Sequence, residues 1–147
     1  MAFPAVSSLG QNPFFHTVVS QGAVLMPSFS FKLAQDGPEL FLGGTNIDLF
    51  TGLIEWHDLS THKGVWEIGN ASVSVNGNQT ISGINTILDT GTALIYGPSA
   101  SVNQFYAQIH KSSPYNSAQG TFSFPCDAVF SVSFNWGGQD WQMSPDT

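Results

Sequence analysis

Short apolar segments separated by turn residues run along most of this 147-residue chain. Asn76-Gly77 is the dipeptide most typical of a two-residue β-hairpin turn, and it follows the apolar stretch GVWEIGNASVSV at 64–75. Gly137-Gly138 divides two further apolar segments within 128–143. Other strands are predicted at 29–33, 40–44 and 52–59. The number and even spacing of these turns predict an all-β fold with antiparallel sheets.

Two short helices are expected beside the strands. Residues of about 13–20 begin at Pro13 and end near Gly22, which is the usual punctuation of a helix. Residues of about 98–110 carry apolar side chains at i, i+3, i+4 and i+7: Val102, Phe105, Tyr106 and Ile109. Since no repeat or linker interrupts the chain, residues 1–147 are predicted to form a single domain.

The charge composition excludes several classes of function. The chain has three lysines, no arginine and ten carboxylates, for a net charge of −7. It therefore lacks the cations that would bind nucleic acid or an anionic membrane surface. Few ion pairs and few basic groups suit a protein that works at low pH. The histidines show no metal-ligand spacing and are predicted surface residues, so neither metal nor cofactor is expected: His16, His57, His62 and His110.

Features of secreted proteins are present but sparse. Asn70-Ala71-Ser72 and Asn78-Gln79-Thr80 are N-glycosylation sequons. The lone Cys126 is either a small buried side chain or, in a secreted protein, half of a disulfide whose partner lies outside this chain. The start, MAFPAVSSLG, is not expected to be a signal peptide, and no apolar run reaches the roughly 18 residues of a membrane-spanning helix.

One carboxylate stands where a buried strand would end. In INTILDTGTALIYGP (84–98), Asp89 follows Ile87-Leu88, and a second apolar run begins at Ala93. An isolated aspartate after a strand is usually a turn or cap residue. Here the apolar flanks predict a strand, a tight turn and a return into the core. Thr90, Gly91 and Thr92 would then direct hydroxyl and amide donors at a buried carboxylate and keep it ionised at low pH.

Peptide hydrolysis by two aspartates that share one proton requires such a carboxylate. The chain resembles the C-terminal lobe of a pepsin-like (family A1) aspartic endopeptidase of the fungal secreted or vacuolar type. The resemblance covers nearly all 147 residues and rests on segments in family order: PFFHTVVSQG, ELFLGGTNIDLFTGLIEW, GVWEIGNASVSVNG, TILDTGTALIYGP and FPCDAVFSVSFNWGGQDWQMSP. It implies an inter-lobe segment at about 1–30 and a C-terminal lobe at 31–147 that lacks its last strands.

The resemblance also implies roles for individual residues. Asp89 would be the second catalytic aspartate, Gly91 and Thr92 would donate hydrogen bonds to it, and Thr90 would lock the loop to its counterpart in the other lobe. Thr92 and Ala93 would face the substrate backbone. Two further side chains, Ile87 and Val65, would line substrate pockets, although for Val65, as for Leu88, core packing is the favoured alternative. Cys126 would pair with a cysteine outside the chain.

The partner aspartate is expected outside this chain. The other acids lie in turns or strands without the motif: Asp36, Glu39, Asp48, Glu55, Asp58, Glu67, Asp127 and Asp140. The tail Asp146-Thr147 is interpreted as coincidental. The resemblance therefore implies a fragment that lacks its N-terminal lobe, is inactive alone and has apolar edges exposed. Its partners would be that lobe and a peptide or protein substrate, in a secreted or vacuolar setting.

Two alternatives remain open. A retroviral-type homodimer could build the dyad from two copies of Asp89, although in that family the motif lies near the start of the chain. A non-catalytic truncated pseudoenzyme could instead bind peptides or a partner lobe. The tryptophans are expected to pack in the core or at a lobe interface: Trp56, Trp66, Trp136 and Trp141.

Overall fold

A computed structural model describes residues 3–61 and 63–144 of the chain. His62 and the Asp146-Thr147 tail, on which expectations were stated, lie outside these residues. Within them the chain divides into two compact units, 3–56 with 63–65 and 57–61 with 66–144. The strands pair antiparallel in every sheet, and two short helices accompany them. The predicted all-β class with antiparallel sheets is therefore confirmed.

The first unit contains one helix and one hairpin, both close to their predicted positions. Helix α1 (Phe14–Ser20) follows a proline, and strands β1 (Phe29–Lys32) and β2 (Glu39–Leu42) pair antiparallel. Phe15 of the helix is buried and meets the ring of Phe29 edge-on at a centroid distance of 4.8 Å. This aromatic contact joins the helix to the hairpin.

The predicted strand at 52–59 is wrong. Those residues form no strand, and the regular structure nearby is a 3₁₀ turn at Ile47–Leu49, with another at Pro4–Val6. Leu53 and Trp56 are largely exposed. An apolar sequence becomes a strand only when a partner strand takes up its backbone hydrogen bonds, and none of the described strands does so for this segment.

The second unit is built on a long hairpin. Strands β3 (Glu67–Val75) and β4 (Asn78–Ile87) pair antiparallel with several register shifts. The turn between them is Asn76-Gly77, where φ is 52° and 75° respectively. Positive φ at both residues is what a two-residue turn of the primed type requires, so the hairpin prediction is confirmed.

The hairpin belongs to a four-stranded sheet of order β4-β3-β7-β8. Strands β7 (Val132–Asn135) and β8 (Trp141–Gln142) flank Gly137-Gly138, as the sequence predicts. Among the described strands, β4 and β8 form the two edges of this sheet.

The core of the second unit lies on one face of that sheet. Alternate residues of β3 are buried, and a cluster of Val73, Ile81 and Val132 is covered by Ile84, Phe105, Phe130 and Phe134. Phe105 comes from helix α2 (Ser99–Tyr106), which is shorter than the predicted 98–110 because turns follow it.

A second small hairpin was not predicted. Strands β5 (Ser113–Asn116) and β6 (Thr121–Ser123) pair beside α2, where Phe122 stacks on Tyr106 at a centroid distance of 4.4 Å. The strands are too short to show alternation, and the first contains Pro114, which argues against a strand in sequence analysis.

Candidate active site

The end of strand β4 delivers Asp89 to the surface. The β3–β4 ladder ends at the pair Glu67 and Ile87. The Leu88 amide then donates to the Trp66 carbonyl at 3.0 Å. Asp89 is therefore the first residue beyond the last backbone hydrogen bond of the hairpin. The backbone is fixed immediately before the carboxylate and turns immediately after it.

Each oxygen of the Asp89 carboxylate accepts one hydrogen bond from its own turn. The Gly91 amide donates to Oδ1 at 2.9 Å, and the Thr92 hydroxyl donates to Oδ2 at 2.5 Å. The Thr92 amide also donates to the Asp89 carbonyl at 3.4 Å. Both donors that the resemblance implies are therefore present against the carboxylate.

These donors lower the pKa of Asp89 below its ordinary value. The Thr92 hydroxyl contributes most and the Gly91 amide next, while desolvation acts in the opposite direction. Hydrogen bonds to the ionised form stabilise it relative to the protonated form. Asp89 is exposed to solvent. Because its pKa is lowered, its carboxylate stays ionised to a lower pH than that of an ordinary aspartate.

A glycine at position 91 allows the amide to approach. A Cβ built there would lie 3.3 Å from Asp89 Oδ1, which is closer than most Cβ contacts. The φ of this residue is not positive. Glycine is therefore explained by the close approach of the carboxylate rather than by a left-handed turn.

The expected burial of this turn is wrong for the described residues. Leu88, Leu94 and Ile95 have exposed fractions of 52%, 67% and 71%. After Ile87 the chain forms no strand up to helix α2, so no sheet partner covers these side chains. Apolar flanks in sequence predict burial only when other parts of the fold supply the cover.

The other candidate residues are distributed over both units. Thr90 and Ala93 are exposed on the Asp89 turn, and Ile87 is exposed at the end of β4. Val65 is half-buried and belongs to the first unit. The Cys126 thiol is free and exposed, so Cys126 is not the small buried side chain that was one of its two expected roles. A disulfide with a cysteine outside the chain stays a prediction.

Both sequon asparagines, Asn70 and Asn78, are exposed. Trp56 is also exposed, so it does not pack in the core of the described residues, and Trp141 is only partly covered.

Side-chain hydrogen bonds near the end of the β3–β4 hairpin were not predicted from the sequence. The Glu67 carboxylate accepts from the Ser60 hydroxyl at 2.6 Å and from Asn85 Nδ2 at 3.1 Å. Thr86 Oγ1 accepts from Trp136 Nε1 at 2.7 Å. Counting back from the Asn76-Gly77 turn would pair Glu67 with Thr86, whereas the register shifts pair it with Ile87. Ser60 and Trp136 lie outside the hairpin, so such a count does not include them.

Neither a metal centre nor a membrane span is found in the described part of the chain. No group of three or more His, Cys, Asp and Glu side chains there could hold a metal ion. Among residues 3–61 and 63–144, no helix has the length and hydropathy needed to cross a bilayer.

Comparison with known proteins agrees with the fold. The family model for eukaryotic aspartyl proteases matches residues 1–147. The chain belongs to this family.

Curated relatives are similar along almost the whole chain. An "Aspartic protease" of Phaffia rhodozyma is 40% identical, covering 97% of this chain and 36% of that protein. A "Cathepsin D" of Bos taurus is 33% identical, covering 99% of this chain and 39% of that protein. A "Cathepsin D" of Gallus gallus is 34% identical, covering 98% of this chain and 38% of that protein. The chain thus spans somewhat over a third of the length of these relatives.

Proposed function

We propose that this chain supplies one of the two catalytic aspartates of an acid endopeptidase, and that Asp89 is that residue. One observation carries the proposal. An exposed carboxylate at the end of β4 accepts hydrogen bonds from the Gly91 amide and the Thr92 hydroxyl, and its pKa is lowered. The Gly91 bond alone is that of an ordinary Asx turn. The Thr92 hydroxyl on the second oxygen, together with the match of the whole chain to the aspartyl protease family, favours the catalytic role.

The chemistry follows from pairing this group with a second carboxylate. Two carboxylates in contact cannot both ionise, so they share one proton. The ionised member takes a proton from a water molecule, whose oxygen bonds to the peptide carbonyl carbon. The protonated member gives its proton to the carbonyl oxygen. Collapse of this intermediate breaks the C–N bond, and the amine leaves with a proton. This route forms no bond between enzyme and substrate and uses no metal or cofactor.

The second aspartate would come from an N-terminal lobe outside these residues, and this chain would be the C-terminal lobe of a fungal-type enzyme. The coverage of 36% of the Phaffia rhodozyma protease leaves room in such a protein for another lobe. In that arrangement Thr90 would contact the other lobe, and Ala93, Ile87 and Val65 would contact a peptide or protein substrate. Cys126 would form a disulfide with a cysteine outside the chain. The single-domain boundary, 1–147, belongs to the same proposal.

The setting of the reaction would be secreted or vacuolar. An acid compartment suits a chain with only three lysines and four histidines, because even the fully protonated chain carries few positive groups to repel one another. Neither nucleic acid nor a membrane surface is an expected partner of so acidic a protein.

Reconstitution tests the proposal directly. The 147-residue chain is assayed at acid pH on a denatured protein substrate, alone and with a separately expressed lobe that carries the partner aspartate. We expect negligible cleavage by the chain alone and cleavage by the mixture. Asp89→Asn should abolish that cleavage, whereas Asp36→Asn, at an exposed turn of the first unit, should leave it unchanged. Cleavage that survives Asp89→Asn would refute the assignment.

A non-catalytic role is the second candidate, and the exposed Leu94 and Ile95 beside the turn favour it. A truncated pseudoenzyme would bind the lobe or a peptide without turnover, which the same titration reveals by calorimetry. A homodimer with two Asp89 residues would instead give cleavage by the chain alone at a rate that rises with the square of its concentration.

A further inference from the structure

Strand β4 is a long sheet edge without charge. It runs Asn78–Ile87 as NQTISGINTI, with neither a charged residue nor a proline. Among the described strands it pairs only with β3, so its outer side presents unpaired backbone groups. Soluble proteins usually protect such an edge with charges, prolines or bulges. Here the register shifts give partial protection, and the first three residues of the strand, Asn78-Gln79-Thr80, are all polar.

A glycosylation sequon occupies those first residues. Asn78-Gln79-Thr80 follows the hairpin turn directly, and both Asn78 and Gln79 are exposed. The Thr80 hydroxyl donates to the Asn78 carbonyl at 3.1 Å, so it lies beside the asparagine to be modified. Because this tripeptide is on the edge strand, its backbone can be approached from the open side of the sheet.

The second sequon is placed differently. Asn70-Ala71-Ser72 lies on β3, an inner strand, and Ser72 pairs with Asn135 of β7. The middle residue, Ala71, has an exposed fraction of 0%. To present this tripeptide, the strand would have to leave both neighbours and expose a core side chain, although Asn70 itself is exposed.

We propose that Asn78 carries an N-linked oligosaccharide and that Asn70 is modified little or not at all. In the transfer, Asn78 Nδ2 attacks the anomeric carbon of a lipid-diphosphate-linked oligosaccharide. The new C–N bond replaces the C–O bond to the diphosphate, which leaves, and the amide gives up one proton. The sugar then covers the open edge of β4 with a hydrophilic group. The proposal requires passage through a secretory compartment but not peptidase activity.

Secretory expression of the full chain, with a cleavable signal sequence fused to it, tests the site. Glycan is read by the mobility shift on digestion with an amidase that releases N-linked sugars, and its position by peptide mass. We expect the wild type, Thr80→Ser and Ser72→Ala to show the shift at Asn78. Asn78→Gln and Thr80→Ala should lose it.

The variants separate loss of the glycosylation signal from loss of the hydrogen bond that the Thr80 hydroxyl makes. Thr80→Ser keeps the hydroxyl that both the sequon and the hydrogen bond to Asn78 need, and Ser72→Ala inactivates only the inner sequon. A secreted wild-type chain without glycan at Asn78 would overturn the proposal. Occupancy of Asn70 equal to that of Asn78 would also overturn it. Neither result depends on whether the reconstituted enzyme cleaves peptide.

Discussion

The two donors to Asp89 come from different parts of its turn and can be removed separately. Thr92→Val deletes the hydroxyl and keeps the side-chain shape, while the Gly91 amide stays in place. We expect the pKa of Asp89 to rise toward its ordinary value, since Thr92 is the larger cause of its lowering. A carboxyl ¹³C NMR titration measures this. Thr92→Ser keeps the hydroxyl and should leave the pKa low.

The sign of the pH effect on stability follows from the direction of that shift. A carboxyl whose pKa is lower in the folded state stabilises the fold above its ordinary pKa, and the contribution is lost as pH falls through the folded value. Thr92→Val should therefore narrow the difference in stability between neutral and acid pH. An unchanged pKa in Thr92→Val would show that the hydroxyl does not hold the carboxylate in solution.

At the residue scale the sequence was sufficient for contacts within the turn. Asp89, Gly91 and Thr92 lie within four positions, so chain geometry alone brings donors and carboxylate together. The sequence was not sufficient to predict whether the apolar side chains beside the turn are buried. Whether Leu94 and Ile95 are covered depends on distant parts of the fold, and local hydrophobicity carries no information about them.

At the scale of elements, the end of the β3–β4 hairpin determines where Asp89 stands. Asn85 Nδ2 donates to Glu67 at 3.1 Å, three residues before Leu88, whose amide makes the last ladder bond. Asn85→Ala should lower the free energy needed to open this end of the hairpin by about 1 kcal/mol. Hydrogen exchange of the Leu88 amide should then become roughly fivefold faster. Hydrogen exchange followed by NMR measures it.

The first unit supplies a matched control for this change. Asn46 Nδ2 donates to the Glu39 carboxylate at 3.0 Å, in the same pairing of asparagine and strand-end glutamate. Asn46→Ala should leave exchange at Leu88 unchanged. If both variants accelerate it equally, the effect is general destabilisation and the Asn85–Glu67 pair has no special part in holding the end of β4.

Elements with strong local signals were predicted, and those without were not. The Asn76-Gly77 turn requires positive φ at two successive residues, which few dipeptides tolerate, so it marks its hairpin unambiguously. Strands β5 and β6 have only four and three residues and are held by the stacking of Tyr106 on Phe122. That contact joins a helix residue to a strand residue 16 positions later, and neither helical nor strand periodicity relates the two.

At the scale of the whole molecule, exposed apolar side chains and net charge act against each other. Several large apolar residues are exposed, including Leu94, Ile95 and Tyr96 beside the proposed active site. At pH 7 a net charge of −7 keeps chains apart, but the isoelectric point lies near 4.5, in the acid range where the proposed chemistry operates. The isolated chain should therefore be least soluble close to that pH.

Light scattering at two salt concentrations distinguishes this explanation from simple misfolding. At pH 7, added salt screens the repulsion between chains and should increase association. At the isoelectric point there is little net charge to screen, so salt should not increase association in the same way. If the complementary lobe covers the exposed apolar residues, its addition should restore solubility at acid pH. A chain that stays monomeric at pH 4.5 without any partner would show that these side chains are not an association surface.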